Sequence, residues 1–226
     1  MQRKIVLTVM LAVLVTIPVL SFSQPSPPSA NNIEEFSGYW KHRADLFQTL
    51  PNPEGEICFL GDSITDGCEW AELTGNLKCT NRGISSDTAW GIMKRIDEIT
   101  EGRPAKVFLM IGTNDLDRNK TVPEVSDKVG EIIDTIKRQS PTTEIYLQSI
   151  LPVWDYTWGS RNNKTIDEMN TELVKLASQK KVPWVNLAPF FKDDTGALRK
   201  DLTVEGLHLN GRAYYLWYSV IRKYLE

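Results

Sequence analysis

Histidine is nearly absent. The 226 residues hold two, His42 and His208, and a hydrolytic metal centre needs several His ligands that a pair cannot provide. A metallophosphoesterase is therefore excluded, although Gly-Asp runs such as Gly61-Asp62 also occur in that class. Cysteine is scarce as well. Cys58, Cys68 and Cys79 are too few and too oddly numbered for a disulfide framework, and no C-x-x-C pair is present. One disulfide in an oxidising compartment would leave one thiol over; Cys58 and Cys79 read as small buried hydrophobes within strands. No run of positive charge is found either. The net charge is −3 with Lys and Arg scattered, so a nucleic-acid partner is not expected.

Long apolar runs are missing except at the start. Gln2-Arg3-Lys4 supplies positive charge, Ile5 to Leu20 is mostly apolar, and Ser21-Phe22-Ser23 gives small residues at the first and third positions. This pattern reads as a signal peptide over residues 1–23, cleaved on export to a periplasm or the medium. The rival reading is a membrane anchor, since the run approaches the lower length for spanning. Pro18 near its end favours cleavage, after which no stable membrane insertion is expected. Residues 24–32 form a Pro/Ser-rich tether with too little apolar content to pack. One domain, 33–226, follows.

Within that domain, short apolar runs alternate with helix-period stretches. The runs Ile57–Leu60, Leu77–Thr80, Lys106–Ile111, Glu144–Ile150 and Pro183–Leu187 predict five buried strands. Asp87 is placed to cap a helix carrying Ile92, Ile96 and Ile99. Pro123 opens another with Val125, Val129, Ile132 and Ile136 inward, ended by Ser140-Pro141. Ile166, Met169, Leu173 and Leu176 mark a third, and a last helix follows Asn210. Alternation of this kind with near-continuous apolar strands predicts a parallel sheet covered on both faces, a three-layer α/β/α sandwich. Ligands in such sheets bind outside the carboxyl ends of the strands.

Four chemically useful residues fall at those ends. Ser63 follows the first strand in Gly61-Asp62-Ser63, a tight turn that is not the G-x-S-x-G elbow. Gly83 follows the second strand, Asn114 the third, and His208 stands just before the last helix. Alone, the serine reads as a helix cap, the glycine as a turn and the asparagine as another cap. Together they fit acyl transfer. An imidazole can take the serine proton, and the backbone N–H groups of Ser63 and Gly83 with the Asn114 amide can face an oxyanion. His42, beside Lys41 and Arg43, reads as a solvated surface residue.

From Ile57 to Tyr218 the sequence resembles the SGNH/GDSL hydrolase family, with Gly61-Asp62-Ser63, Gly83, Gly112-Thr113-Asn114-Asp115 and Glu205-Gly206-Leu207-His208 matching its four blocks in order. The resemblance implies a flavodoxin-like five-stranded parallel sheet, Ser63 as nucleophile, His208 as base, an oxyanion hole from Ser63, Gly83 and Asn114, and neither metal nor organic cofactor. The family's acid is usually Asp three residues before the His; here that place holds Glu205, with Asp201 a poorer fit and a Ser–His dyad the alternative. The short chain and Gly83-Ile84-Ser85-Ser86-Asp87 look most like the short-acyl branches, platelet-activating-factor acetylhydrolases and carbohydrate acetylesterases. The expected partner is a small-molecule or glycan ester. Asp62 beside the nucleophile, and Trp154, Tyr156 and Trp158 beside Asp155 and Arg161, are candidate substrate contacts, although loop aromatics can equally pack the loop itself. The rival functions are a lysophospholipase or thioesterase with a longer acyl pocket, and a non-catalytic glycan-binding protein with a vestigial site.

Overall fold

The computed structural model describes residues 36–154 and 161–226. The expected signal peptide and tether, together with Tyr156 and Trp158, lie outside them.

Five strands, β1 (Ile57–Gly61), β2 (Cys79–Gly83), β3 (Lys106–Met110), β4 (Glu144–Gln148) and β5 (Trp184–Val185), form one sheet in the order β2-β1-β3-β4-β5 with every pairing parallel. This is the flavodoxin-like order, in which the winding reverses between β1 and β3. β1 is buried at all five positions, as a strand covered on both faces must be. One face carries an aromatic ladder set by the register. Phe59, Phe108 and Tyr146 stand side by side on β1, β3 and β4, with ring centroids 5.1 and 4.7 Å apart. Trp70 stacks on Phe59 at 3.8 Å, and Trp217 meets Trp70 edge-on. Each fully buried side chain of this size contributes about 1.5–3 kcal/mol.

Trp70 belongs to α3 (Trp70–Thr74) and Trp217 to α10 (Gly211–Ile221). A second set of helices, α4 (Ala89–Lys94), α5 (Ile96–Glu101), α7 (Val122–Gln139) and α8 (Asn163–Lys180), pack on one another. α7 begins where its sequence dictates. Thr121 caps it in a reciprocal box with Glu124, Pro123 sits in its first turn, and Val125, Val129, Ile132 and Ile136 are fully buried. The inward residues expected on α8 are buried too.

Local chemistry moves several boundaries. β2 starts at Cys79 rather than Leu77, because the Asn76 side chain and carbonyl accept from the N–H groups of Lys78 and Cys79 and turn Leu77 outward, 92% exposed. β5 is two residues long: Pro183 has no N–H to give, and the Ser149 hydroxyl draws the N–H groups of Leu187 and Ala188 out of the ladder. Thr88, not Asp87, caps α4, and the expected single helix breaks at Arg95, whose side chain turns inward. α1 (Gly38–Thr49) carries the exposed His42 yet buries Trp40, Ala44 and Phe47. The guanidinium groups of Arg43, Arg82 and Arg95 lie 4.6, 5.0 and 5.9 Å from the Phe47 ring. All three cysteines are free and buried.

Candidate active site

β1 delivers the chain to a tight corner. A side chain on Gly61 would collide with Thr65 Oγ1 and the Met110 carbonyl, so only glycine lets the strand turn directly into α2 (Ser63–Asp66). Ser63 is then the first residue of α2 and half-buried. The preceding Asp62 accepts from the Ile64 N–H at 3.0 Å and is 1% exposed. It caps the turn that carries Ser63 and is buried there, rather than exposed as the substrate contact expected from its place in the sequence. Burial pushes its pKa up to about 7, against the pull of the Ile64 N–H.

His208 reaches the same corner from the far end of the chain. Its loop is closed by a bridge between Thr203 and Leu209, and the Thr203 hydroxyl donates to the His208 carbonyl while accepting from the Gly206 N–H. Gly206 has φ +106°, and a Cβ there would lie 2.9 Å from the Trp154 ring. Trp154 thus packs against the histidine loop, and its backbone N–H donates to the Gly206 carbonyl at 3.1 Å. In this setting His208 Nε2 lies 2.9 Å from Ser63 Oγ, and Nδ1 bonds the Glu205 carboxylate. Both Glu205 oxygens also accept from the His208 backbone N–H, at 3.2 and 3.3 Å. Asp201 is exposed and pairs with Arg199 and Arg212 instead.

Asn114 lies in the first turn of α6 (Thr113–Asp117), after β3 and across the winding reversal from Ser63. Its Nδ2 donates to the Asp87 carbonyl at 2.9 Å, and its Oδ1 accepts from Arg161 Nη2 at 2.7 Å. Gly83 departs from expectation. Its N–H donates to Asn81 Oδ1 at 2.8 Å, and a Cβ would strike the Asp66 backbone at 2.2 Å. Its missing side chain lets β2 lie against α2; its N–H is already engaged and does not face an oxyanion. The chain then makes a turn closed by the Asp87 N–H on the Ile84 carbonyl, with Ser86 at φ +65°.

Two features below the site were not anticipated. Asp87 is a buried node: its carboxylate accepts from Trp40 Nε1, the Thr88 N–H and Arg95, while Arg95 Nη2 reaches the Arg82 carbonyl at 2.8 Å. Burial raises the Asp87 pKa despite the Arg95 charge. Asp115 accepts from the Ala89 N–H through both oxygens, and burial lifts its pKa to about 7. A sequence signal did exist for the node, since Arg95 interrupts the apolar face of Ile92, Ile96 and Ile99. Arg161 gave none, being a lone cation in a loop.

Comparison with known proteins places this geometry. Residues 59–216 match the model of the GDSL-like lipase/acylhydrolase family. The chain belongs to that family. A solved structure from Streptococcus pneumonia, provisionally assigned as a platelet activating factor, is 32% identical with a TM-score of 0.78, covering 83% of this chain and 93% of that one. The isoamyl acetate-hydrolyzing esterase of Saccharomyces cerevisiae is 23% identical over 196 residues, 80% of each chain. An acetyl xylan esterase structure is 16% identical with a TM-score of 0.64, covering 76% of this chain and all of that one, and shares the fold. This GDSL-family protein is an ester hydrolase with an α/β/α sandwich fold.

Proposed function

We propose that the protein hydrolyses short-chain acyl esters, acetyl esters of carbohydrates among them, through a Ser63–His208–Glu205 triad and an acyl-enzyme. The observation that carries this reading is the continuous line from Ser63 Oγ through both His208 nitrogens to Glu205. Neutral His208 takes the Ser63 proton at Nε2 as Oγ attacks the ester carbonyl carbon. Glu205 holds the Nδ1 proton and balances the imidazolium that forms. The Ser63 backbone N–H and an Asn114 Nδ2 proton face the oxyanion. His208 then protonates the departing alcohol, leaving the acyl group on Ser63. Water, activated by the same imidazole, releases the acid and restores the serine.

The acyl class is supported by the relatives, one an isoamyl acetate-hydrolyzing esterase and one an acetyl xylan esterase. Trp154, half-buried with Lys200 Nζ 5.8 Å from its ring, keeps an aromatic beside the histidine loop where a sugar could stack. The basic start and apolar run of residues 1–23 support export. Turnover of aryl esters of increasing acyl length tests the reading. Acetyl to butyryl esters should be favoured; better turnover of octanoyl esters would point to a lysophospholipase or thioesterase, and no turnover of any ester to a vestigial site.

A further inference from the structure

We infer that Arg161 is a positioning residue that locks the Asn114 side-chain amide in the orientation from which it donates to an oxyanion. The inference rests on the hydrolytic reading above. An asparagine amide has two ends of similar shape and opposite hydrogen-bonding character. At Asn114 the two ends are told apart by their partners: the Arg161 guanidinium donates to Oδ1 at 2.7 Å, and the Asp87 carbonyl accepts from Nδ2 at 2.9 Å. A flipped amide would set N–H against guanidinium and oxygen against carbonyl, losing both bonds at once. The bond from the cation is the stronger, because a charged donor roughly doubles the strength of a neutral hydrogen bond.

Arg161 is itself held. Nη2 lies 3.3 Å from the Asp117 carboxylate, and its side chain is 9% exposed. Asn114 and Asp117 are one turn apart on α6, so a single guanidinium spans the helix that carries the oxyanion donor. Asn162, the next residue, caps α8 through the Thr165 N–H and anchors the backbone. One Nδ2 proton goes to Asp87, which leaves the second for the oxyanion. A cation on Oδ1 also draws electron density from the amide nitrogen and strengthens that remaining donor.

The test is a double-mutant cycle of Arg161→Ala and Asn114→Ala, read as kcat and KM on an aryl acetate and as the rate of Ser63 labelling by a fluorophosphonate. Labelling needs the nucleophile and the oxyanion hole but no particular acyl group. A wrong acyl class would therefore blank the turnover assay and leave the cycle readable. Arg161→Ala should lower kcat and labelling by about 10- to 100-fold with KM within about twofold, since part of one oxyanion donor is lost. In the Asn114→Ala background the same change should cost less than about threefold, because the two act as one unit. Arg161→Lys should recover part of the loss by restoring a charged donor. Should Arg161→Ala fail to fold, Arg161→Gln, which keeps a donor without the charge, runs the same cycle. Additive losses, or a raised KM with unchanged kcat, would overturn the inference and make Arg161 a structural or substrate contact.

Discussion

His208 Nε2 lies 2.9 Å from Ser63 Oγ across 145 residues of chain. Nothing local joins the two. Ser63 is placed by β1, an interior strand paired with β2 and β3, and His208 by a loop pinned through Thr203 and packed on Trp154. Their contact therefore depends on the whole domain being folded, and the residues that fix the loop are as open to test as the reacting ones.

Glu205 is the first. Glu205→Gln keeps its size and an acceptor but removes the charge that balances an imidazolium, so kcat should fall at least about 10-fold. Glu205→Asp should retain more activity than Glu205→Gln. Asp201→Asn should leave kcat unchanged, because Asp201 is occupied by Arg199 and Arg212. Steady-state kinetics of the three variants checks this, and a near-wild-type kcat in Glu205→Gln would leave a Ser–His dyad.

Gly206 faces two constraints at once, a left-handed backbone at φ +106° and the Trp154 ring 2.9 Å from where a Cβ would stand. Gly206→Ala should lower stability by about 1–3 kcal/mol in urea unfolding. It should also reduce kcat, since the strain is relieved by shifting Glu205 and His208. Unchanged unfolding and unchanged turnover would show that the loop tolerates another conformation.

Asp62 predicts a pH effect on stability. Its folded pKa, pushed to about 7 by burial, lies above the usual carboxylate value, so the folded state keeps a proton that the unfolded chain releases. Stability from this group is full at pH below about 4 and is lost as pH rises to about 7, with a ceiling of roughly 4 kcal/mol. Asp115 titrates in the same direction and window. Asp62→Asn keeps the cap on Ile64 and removes the charge, so it should flatten the fall in stability between about pH 4 and 7. Denaturant midpoints across that range measure it, and an unaltered pH slope would count against the buried-carboxylate account.

The candidate site positions were legible in the sequence because each follows a strand and strand ends converge in a parallel sheet. Ser63, Asn114 and His208 could be placed by that rule together with the scarcity of histidine. Glu205 came from the family resemblance, which expects an acid three residues before His208. Gly83 was misread because a glycine after a strand predicts open backbone, whereas here it makes room for the Asp66 backbone and its N–H meets Asn81. Asp62 was misread for a related reason: adjacency to Ser63 in sequence put it below the candidate site, not inside it. Arg161 meets Asn114 across 47 residues, and no local pattern encodes a contact of that kind. β2 and β5 shifted where the Asn76 and Ser149 side chains competed with the ladder for backbone N–H groups.

In the proposed reaction Ser63 carries the acyl group between the two half-reactions. Rapid-quench mass spectrometry of the protein mixed with an aryl acetate reads this directly. An acetyl group should appear transiently on the peptide containing Ser63, form far more slowly in His208→Ala, and be absent from Ser63→Ala, which should turn over no ester. Acetylation at another residue, or turnover that survives Ser63→Ala, would contradict the account.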